Sequence, residues 1–169
     1  MIVFYLEKSY DILSIMKENI EIRKLKSSEE PPMELLLLAD PSVALVKKYL
    51  ENGSCFVCLK DGQIVGEYLI MPKSEIMIEL MNVAVMEKYQ GLGLGKMLVL
   101  HSIMQARNLG FKTIEVGTAD IGVMQIALYK KCGFKDKEIW EDFFIKNYPE
   151  PIYDEGAMCK DMVRLNIEL

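Results

Sequence analysis

Residues 75–86, EIMIELMNVAVM, are apolar on both alternating faces, and three glycines follow within YQGLGLGKM, Tyr89 to Met97. A strand with two apolar faces needs cover on both sides, which places it in the middle of a sheet. Glycine loses more backbone freedom on folding than any other residue and adds no packing. Gly91, Gly93 and Gly95 must therefore answer to some other demand: a tight turn, a phosphate cradle, or a plain loop. They stand where a buried strand gives way to a helix, GKMLVLHSIMQARNLG at 95–110.

The flanking pattern is that of a mixed α/β sheet. IEIRKLK (20–26) reads as a first strand, and a helical run after Ser28 stops near Asp40-Pro41. VALVKKYLENG (43–53) has helical spacing and ends at Asn52-Gly53. SCFVCLKDGQIVGEYLIM predicts a hairpin around Asp61-Gly62. FKTIEVGT (111–118) predicts a strand, VMQIALYKKCGF (123–134) a helix, and EIWEDFFI (138–145) and CKDMVRLNIEL (159–169) two more strands. The order is β-α-α-β-β-β-α-β-α-β-β, one α/β domain with helices on both faces. Residues 1–15 read as an N-terminal extension, with Met16 as an alternative start and 16–169 as the domain. The apolar opening lacks the basic start and small-residue cleavage site of a signal peptide, and no window has the length of a membrane span.

Charge and cysteines narrow the function classes. The net charge is −5, and all of the acidic excess lies in residues 136–169, with 9 acidic and 4 basic side chains. Nucleic acid is therefore not expected as a partner, and a cationic one is permitted. Cys55 and Cys58 form a C-x-x-C, but within a strand positions three apart face opposite ways. Cys132, Cys159 and the single His101 complete no familiar zinc set, so no metal site is expected. Reduced thiols point to the cytoplasm.

Three phosphate motifs can be set against QGLGLGKM. The dinucleotide fingerprint fails on the position of its third glycine, and the Walker A pattern on its spacing and on Met97 after Lys96. Q/R-x-x-G-x-G/A is satisfied by Gln90, Gly93 and Gly95, between a buried strand and a helix. Unobstructed N–H groups at a helix N-terminus, with the helix dipole behind them, suit a pyrophosphate.

ELMNVAVMEKYQGLGLGKML, then a strand, then ALYKKCGF, resembles the GNAT superfamily of acetyl-CoA-dependent N-acyltransferases, and the likeness covers about residues 20–169. The resemblance implies a mostly antiparallel sheet with a V-shaped split between two central strands, 75–86 and 111–118. It implies acetyl-CoA as co-substrate, its pantetheine arm along Met81–Val85 against the backbone of Asn82, Val83, Ala84 and Val85. Its pyrophosphate would lie on Gln90, Gly91, Leu92, Gly93, Leu94, Gly95 and Lys96. An N–H near Val83 would face the developing oxyanion. Tyr129 matches the position of a general acid and Glu79 that of a general base. Glu115 competes with Glu79, as does a water chain with no dedicated base. A carboxylate in an apolar central strand is costly unless paired or used. The asparagine that relatives often carry seven residues before the tyrosine is Gly122 here; Asp120 stands nearby. His101 reads as a packed helix residue.

The acceptor is less constrained. Trp140, Phe143, Phe144, Tyr148 and Tyr153 intermingle with Glu141, Asp142, Glu150, Asp154 and Glu155, which suits either a small cationic amine or an ordinary hairpin with an acidic outer face. A protein N-terminus or lysine is the alternative acceptor, and a non-catalytic acyl-CoA sensor the alternative class. A homodimer through the C-terminal strands is a further expectation.

Overall fold

The computed structural model describes residues 19–154 and 156–169; the proposed extension at 1–15 lies outside them. Strands β1 (Ile20–Lys24), β2 (Ser54–Lys60), β3 (Gln63–Pro72), β4 (Met77–Val85), β5 (Thr113–Ala119), β6 (Lys135–Trp140) and β9 (Met162–Glu168) form one sheet. Its order is β1-β2-β3-β4-β5-β9-β6, and only β4 and β5 run parallel. Helices α1 (Met33–Ala39), α2 (Val43–Asn52), α3 (Leu94–Asn108) and α4 (Val123–Lys131) follow the expected order. No helix among the described residues is long and apolar enough to cross a membrane.

Both faces of the sheet are covered, as the two-faced apolar pattern of β4 requires. Leu94, Leu98, Val99, Ile103 and Ala106 of α3 pack with Tyr68, Ile78, Leu80 and Ile114 on one face. Leu36 of α1 and Val46 of α2 pack with Cys55 and Leu69 on the other. Cys55 and Cys58 thus fall in different clusters on opposite faces. The β2–β3 hairpin turns at Asp61 and Gly62, both at positive φ (51° and 79°), the geometry that Asp-Gly favours.

The C-terminal region departs from expectation. EIWEDFFI does not continue as a strand: β6 ends at Trp140, and Phe143–Asn147 is a short helix, α5. Asp142 reverses the chain at φ 56°, and its N–H donates to Asp161 Oδ1 at 2.8 Å. Phe144 then stacks on Tyr148 one turn on. The aromatic and β-branched composition favours a strand, but these tertiary bonds override it. A small hairpin, β7 (Tyr153–Asp154) with β8 (Ala157–Met158), follows. β9 is interior, between β5 and β6, so β6 is the open edge in this part of the sheet.

A buried ion cluster ties β4, β5 and β9 together. Glu79 and Glu115 are directly paired across the parallel strands. Arg164 of β9, 2% exposed, donates through Nη1 to Glu79 and through Nη2 to Glu115 at 3.1 Å. Lys73 Nζ lies 3.2 Å from Glu79, and Lys137 Nζ 2.7 Å from Glu115. Trp140 covers the guanidinium at 4.3 Å. A Cβ at Gly117 would fall 2.7 Å from Arg164 Nη1, so only glycine lets the side chain cross β5 there. Removing the arginine leaves two carboxylates facing each other in a buried site. Arg164→Ala should therefore lower the unfolding free energy by about 3 kcal/mol, read as a drop in the urea midpoint. A midpoint equal to wild type would refute the clasp.

Candidate active site

The β4–β5 ladder ends at Leu80 and Val116. Beyond it β4 stays paired to β3 as far as Val85, and β5 to β9 as far as Ala119, so the two strands separate while each keeps its outer partner. An extra residue in β4, Met81, lies where the β3–β4 register shifts. Met86 N–H donates to Val65 O on the β3 side. Alternation along the strand then turns the N–H and C=O groups of Val83 and Val85 into the gap. By the same alternation the Asn82 backbone faces β3. This corrects the expectation for Asn82: its side chain donates to Leu36 O at 2.9 Å and ties α1 to the sheet. The gap opens into a cavity of about 440 Å³, lined by Leu80–Val85, by Gly117–Ala119, and by Gln125 and Tyr129 of α4.

At one end Gln90 lines the cavity, and its Nε2 donates to Val85 O at 2.9 Å. The glycine loop leads on from there. Gly91 and Gly93 take φ of 75° and 84°, conformations in which a side chain would be strained. Gly93 is the N-cap of α3 and provides no side-chain cap. The first N–H groups of the helix, at Gly95 and Lys96, are thus left for an external acceptor. Leu94, 2% exposed, pins the loop in the core, while Leu92 and Lys96 stay exposed. With free N–H donors and the Lys96 ammonium beside them, the loop suits a diphosphate.

Tyr129 lines the cavity opposite β4. Burial holds its hydroxyl above the ordinary tyrosine range, with Cys132 and Glu67 adding to the effect, so it stays protonated at neutral pH. Glu79 and Glu115 are both buried among cations and neither lines the cavity. For Glu79 the choice between pairing and use is met by pairing. Asp120 is occupied by the N–H groups of Lys160 and Asp161 and does not turn to the cleft. At Gly122 a Cβ would meet Ala119 O and Thr118 Oγ1 at 3.0 Å, a tight contact; Thr118 and Gln125 are the polar side chains on this wall. His101 packs edge-on to Phe56 and bonds Tyr68 Oη through Nδ1 at 2.7 Å, away from the cleft.

Residues 18–134, well over half of the chain, match the acetyltransferase (GNAT) family. The chain belongs to the acetyltransferase (GNAT) family. Its activity is N-acetyl transfer with acetyl-CoA as co-substrate. The acetyltransferase is 40% identical over 157 residues to the uncharacterized N-acetyltransferase YvbK of Bacillus subtilis, covering 93% of this chain and 100% of that one. A GNAT family acetyltransferase from Elizabethkingia anophelis, solved with acetyl-CoA bound, superposes with a TM-score of 0.87 at 38% identity, over 90% of this chain and 99% of that one. An IAA acetyltransferase from Bacillus cereus superposes at 0.84 with 40% identity, over 89% and 100%.

The acetyltransferase cleft has a second wall made of side chains. Leu37, Leu38 and Pro41 at the end of α1 face Phe144, Tyr148 and Tyr153 from α5 and β7. Tyr148 Oη donates to Asp40 Oδ2 at 3.2 Å, joining the two sides. Asp154 also lines the cavity. Trp140 does not, being spent on Arg164, and neither do Phe143, Glu141, Asp142 or Glu150. Among the described residues the aromatic-acidic expectation thus reduces to Phe144, Tyr148, Tyr153 and Asp154; Glu155 lies outside them. Sequence reasoning missed Asp40, Thr118 and Gln125, whose neighbourhood only the fold creates. Gly93→Asp would strain the N-cap and set a carboxylate against the donors of the loop. Calorimetry should show acetyl-CoA affinity falling by at least about 100-fold, some 2.7 kcal/mol; unchanged affinity would refute the cradle.

Proposed function

We propose that the acetyltransferase acetylates the primary amine of a small cationic molecule by direct attack, with both substrates held in the split between β4 and β5. The observation that carries this reading is the pair of inward-facing backbone positions, Val83 and Val85, in a cavity that Tyr129 also lines. Val83 N–H serves as donor to the carbonyl oxygen as charge develops on it, a fixed dipole that needs no reorganisation. Tyr129, still protonated at neutral pH, protonates the departing sulfur. Gln90, Gly91, Leu92, Gly93, Leu94, Gly95 and Lys96 hold the diphosphate, and the backbone groups of Val83 and Val85 align the pantetheine arm; the Ala84 backbone, like that of Asn82, faces β3. Glu79 is assigned to strand cohesion, since Arg164 and Lys73 already engage its carboxylate.

For the acceptor, Phe144, Tyr148 and Tyr153 offer ring faces and Asp154 a carboxylate, a combination that suits a cation. The unpaired cysteines suit a reducing cytoplasm. The test is acetyl-CoA calorimetry followed by thiol release with spermidine, kanamycin and an alanine-terminated peptide. Turnover of spermidine or kanamycin supports the reading, and turnover of the peptide alone replaces the acceptor class. Binding without turnover of any of them favours a sensor. Tyr129→Phe should lower kcat by about 100-fold while leaving acetyl-CoA affinity within about twofold. An unchanged kcat would remove Tyr129 from the acid role.

A further inference from the structure

Glu67 lies in the middle of β3 with no exposed surface. Its ladder partners are Val57 on β2 and Ala84 on β4, and Ala84 lines the cleft. Among the described residues neither oxygen of its carboxyl has a hydrogen-bond partner, and neither does Asn82 Oδ1. Residues opposed in an antiparallel ladder share a face, so Glu67 and Ala84 project on the same side as Leu69 and Asn82. That side is the one covered by α1, since Leu69 packs with Leu36 and Asn82 bonds Leu36 O. Three unpartnered acceptor atoms therefore share one patch of sheet beside the cleft, whose wall here is Asn82 and Ala84, with Glu67 behind it. The patch stands level with Val83, whereas Glu79 lies further back, below the point where the strands part.

A buried carboxyl is costly, and only the nearby Ala84 N–H offsets that cost in part. Acceptor atoms without donors call for a donor, and a primary ammonium supplies three. We propose that Glu67 accepts the proton that the acceptor amine must lose, relayed past Ala84 by a water between the two unpartnered groups, with Asn82 Oδ1, which lines the cleft, receiving an N–H of the ammonium. The proposal rests on the reading of this cleft as the transfer site. The ammonium passes one proton to the Glu67 carboxylate, leaving a neutral amine and a carboxylic acid. The nitrogen lone pair forms the C–N bond and the C–S bond breaks. The sulfur takes a proton from Tyr129, which the proton shed by the new C–N nitrogen replaces. Glu67 returns its proton to solvent, which accounts for the one proton the reaction releases.

The electrostatics agree. Burial pushes the Glu67 carboxyl up to about 8, opposed only by the Ala84 N–H, and no cation contributes. Its titratable neighbours are the Cys55 thiol on β2, pushed up to about 12, and the Tyr129 hydroxyl on α4, and the charge on Glu67 raises both. A base near neutrality is the efficient kind. Because the folded value exceeds the unfolded one, the native state holds this proton longer, so stability falls as pH rises from about 4.5 to about 8. A carboxyl of purely structural role would do the same, so rates decide.

The test compares wild type with Glu67→Gln and Glu67→Met. The wild-type-to-variant rate ratio cancels the titration of the amine itself. With the amine the panel identifies, it should climb at least about tenfold from pH 6 to pH 9. Glu67→Met should lose the same activity while its melting temperature rises; a structural role would move both the same way. Acetyl-CoA affinity should be unchanged in both variants. A flat ratio overturns the proposal even where wild type turns over, whereas absent acetyl-CoA binding by wild type overturns the transferase reading instead. Infrared titration reads Glu67 without any turnover. A protonated-carboxyl band lost in Glu67→Gln should bleach when spermidine is added at about pH 7. A band that spermidine leaves unchanged, or no such band, overturns the proposal.

Discussion

A sheet can open a gap between two adjacent strands only if each strand remains fully bonded to its other neighbour and the junction below the gap is held closed. Both conditions are met here. β4 keeps β3 and β5 keeps β9 past the point of separation. Immediately below it, Arg164 spans Glu79 and Glu115, so three strands share one guanidinium. The parallel pairing is only four residues long, from Met77–Thr113 to Leu80–Val116. Two opposed carboxylates would drive so short a ladder apart; the arginine reverses the sign of that interaction, and Lys73 and Lys137 complete the neutralisation. The cleft follows from this arrangement, because the amides freed above the clasp are those at Val83 and Val85.

The sheet therefore buries three carboxylates on one face with different outcomes. Glu79 and Glu115 are matched by cations and hold the strands. Hydrogen bonds from Lys137 and Arg164 keep the Glu115 carboxyl below its ordinary range despite the opposing effect of burial. Glu67 has no cation and is displaced the other way. Burial alone thus does not identify a working acid or base. The partners do, since a matched carboxylate has no reason to exchange its proton near neutral pH, whereas an unmatched one does.

How much of this was legible in the sequence depended on how local each feature is. The conformation of the glycine loop and the helix that carries Tyr129 were legible because each depends on its own turn of chain: positive φ at Gly91 and Gly93, and one helix that ends at a glycine. The β2–β3 hairpin was legible for the same reason. The clasp was not, because Arg164 lies 85 residues from Glu79 and meets it only once β9 inserts between β5 and β6. Glu79 accordingly read as a lone acid in an apolar strand. Helix α5 was misread as strand since its aromatic run fits β-structure, and the bonds to Lys160 and Asp161 that fix it come from across the loop. Glu67 sits in IVGEYLI as conspicuously as Glu79 does in its own strand, yet which acid is paired cannot be decided without the register.

The two halves of the cleft are built from different materials. One half offers backbone groups: the amides of β4 and the open first turn of α3. Such groups do not depend on side-chain identity, provided that glycine keeps the loop in shape. The other half offers side chains from α1, α5 and β7, joined across the cleft by a hydrogen bond from Tyr148 to Asp40. Substitutions there change shape and charge without touching the strands that part. On the proposed reading, acceptor preference can therefore vary on an unchanged transfer chemistry, and it is set by Leu38, Tyr148, Tyr153 and Asp154 rather than by the glycine loop that first marks the chain.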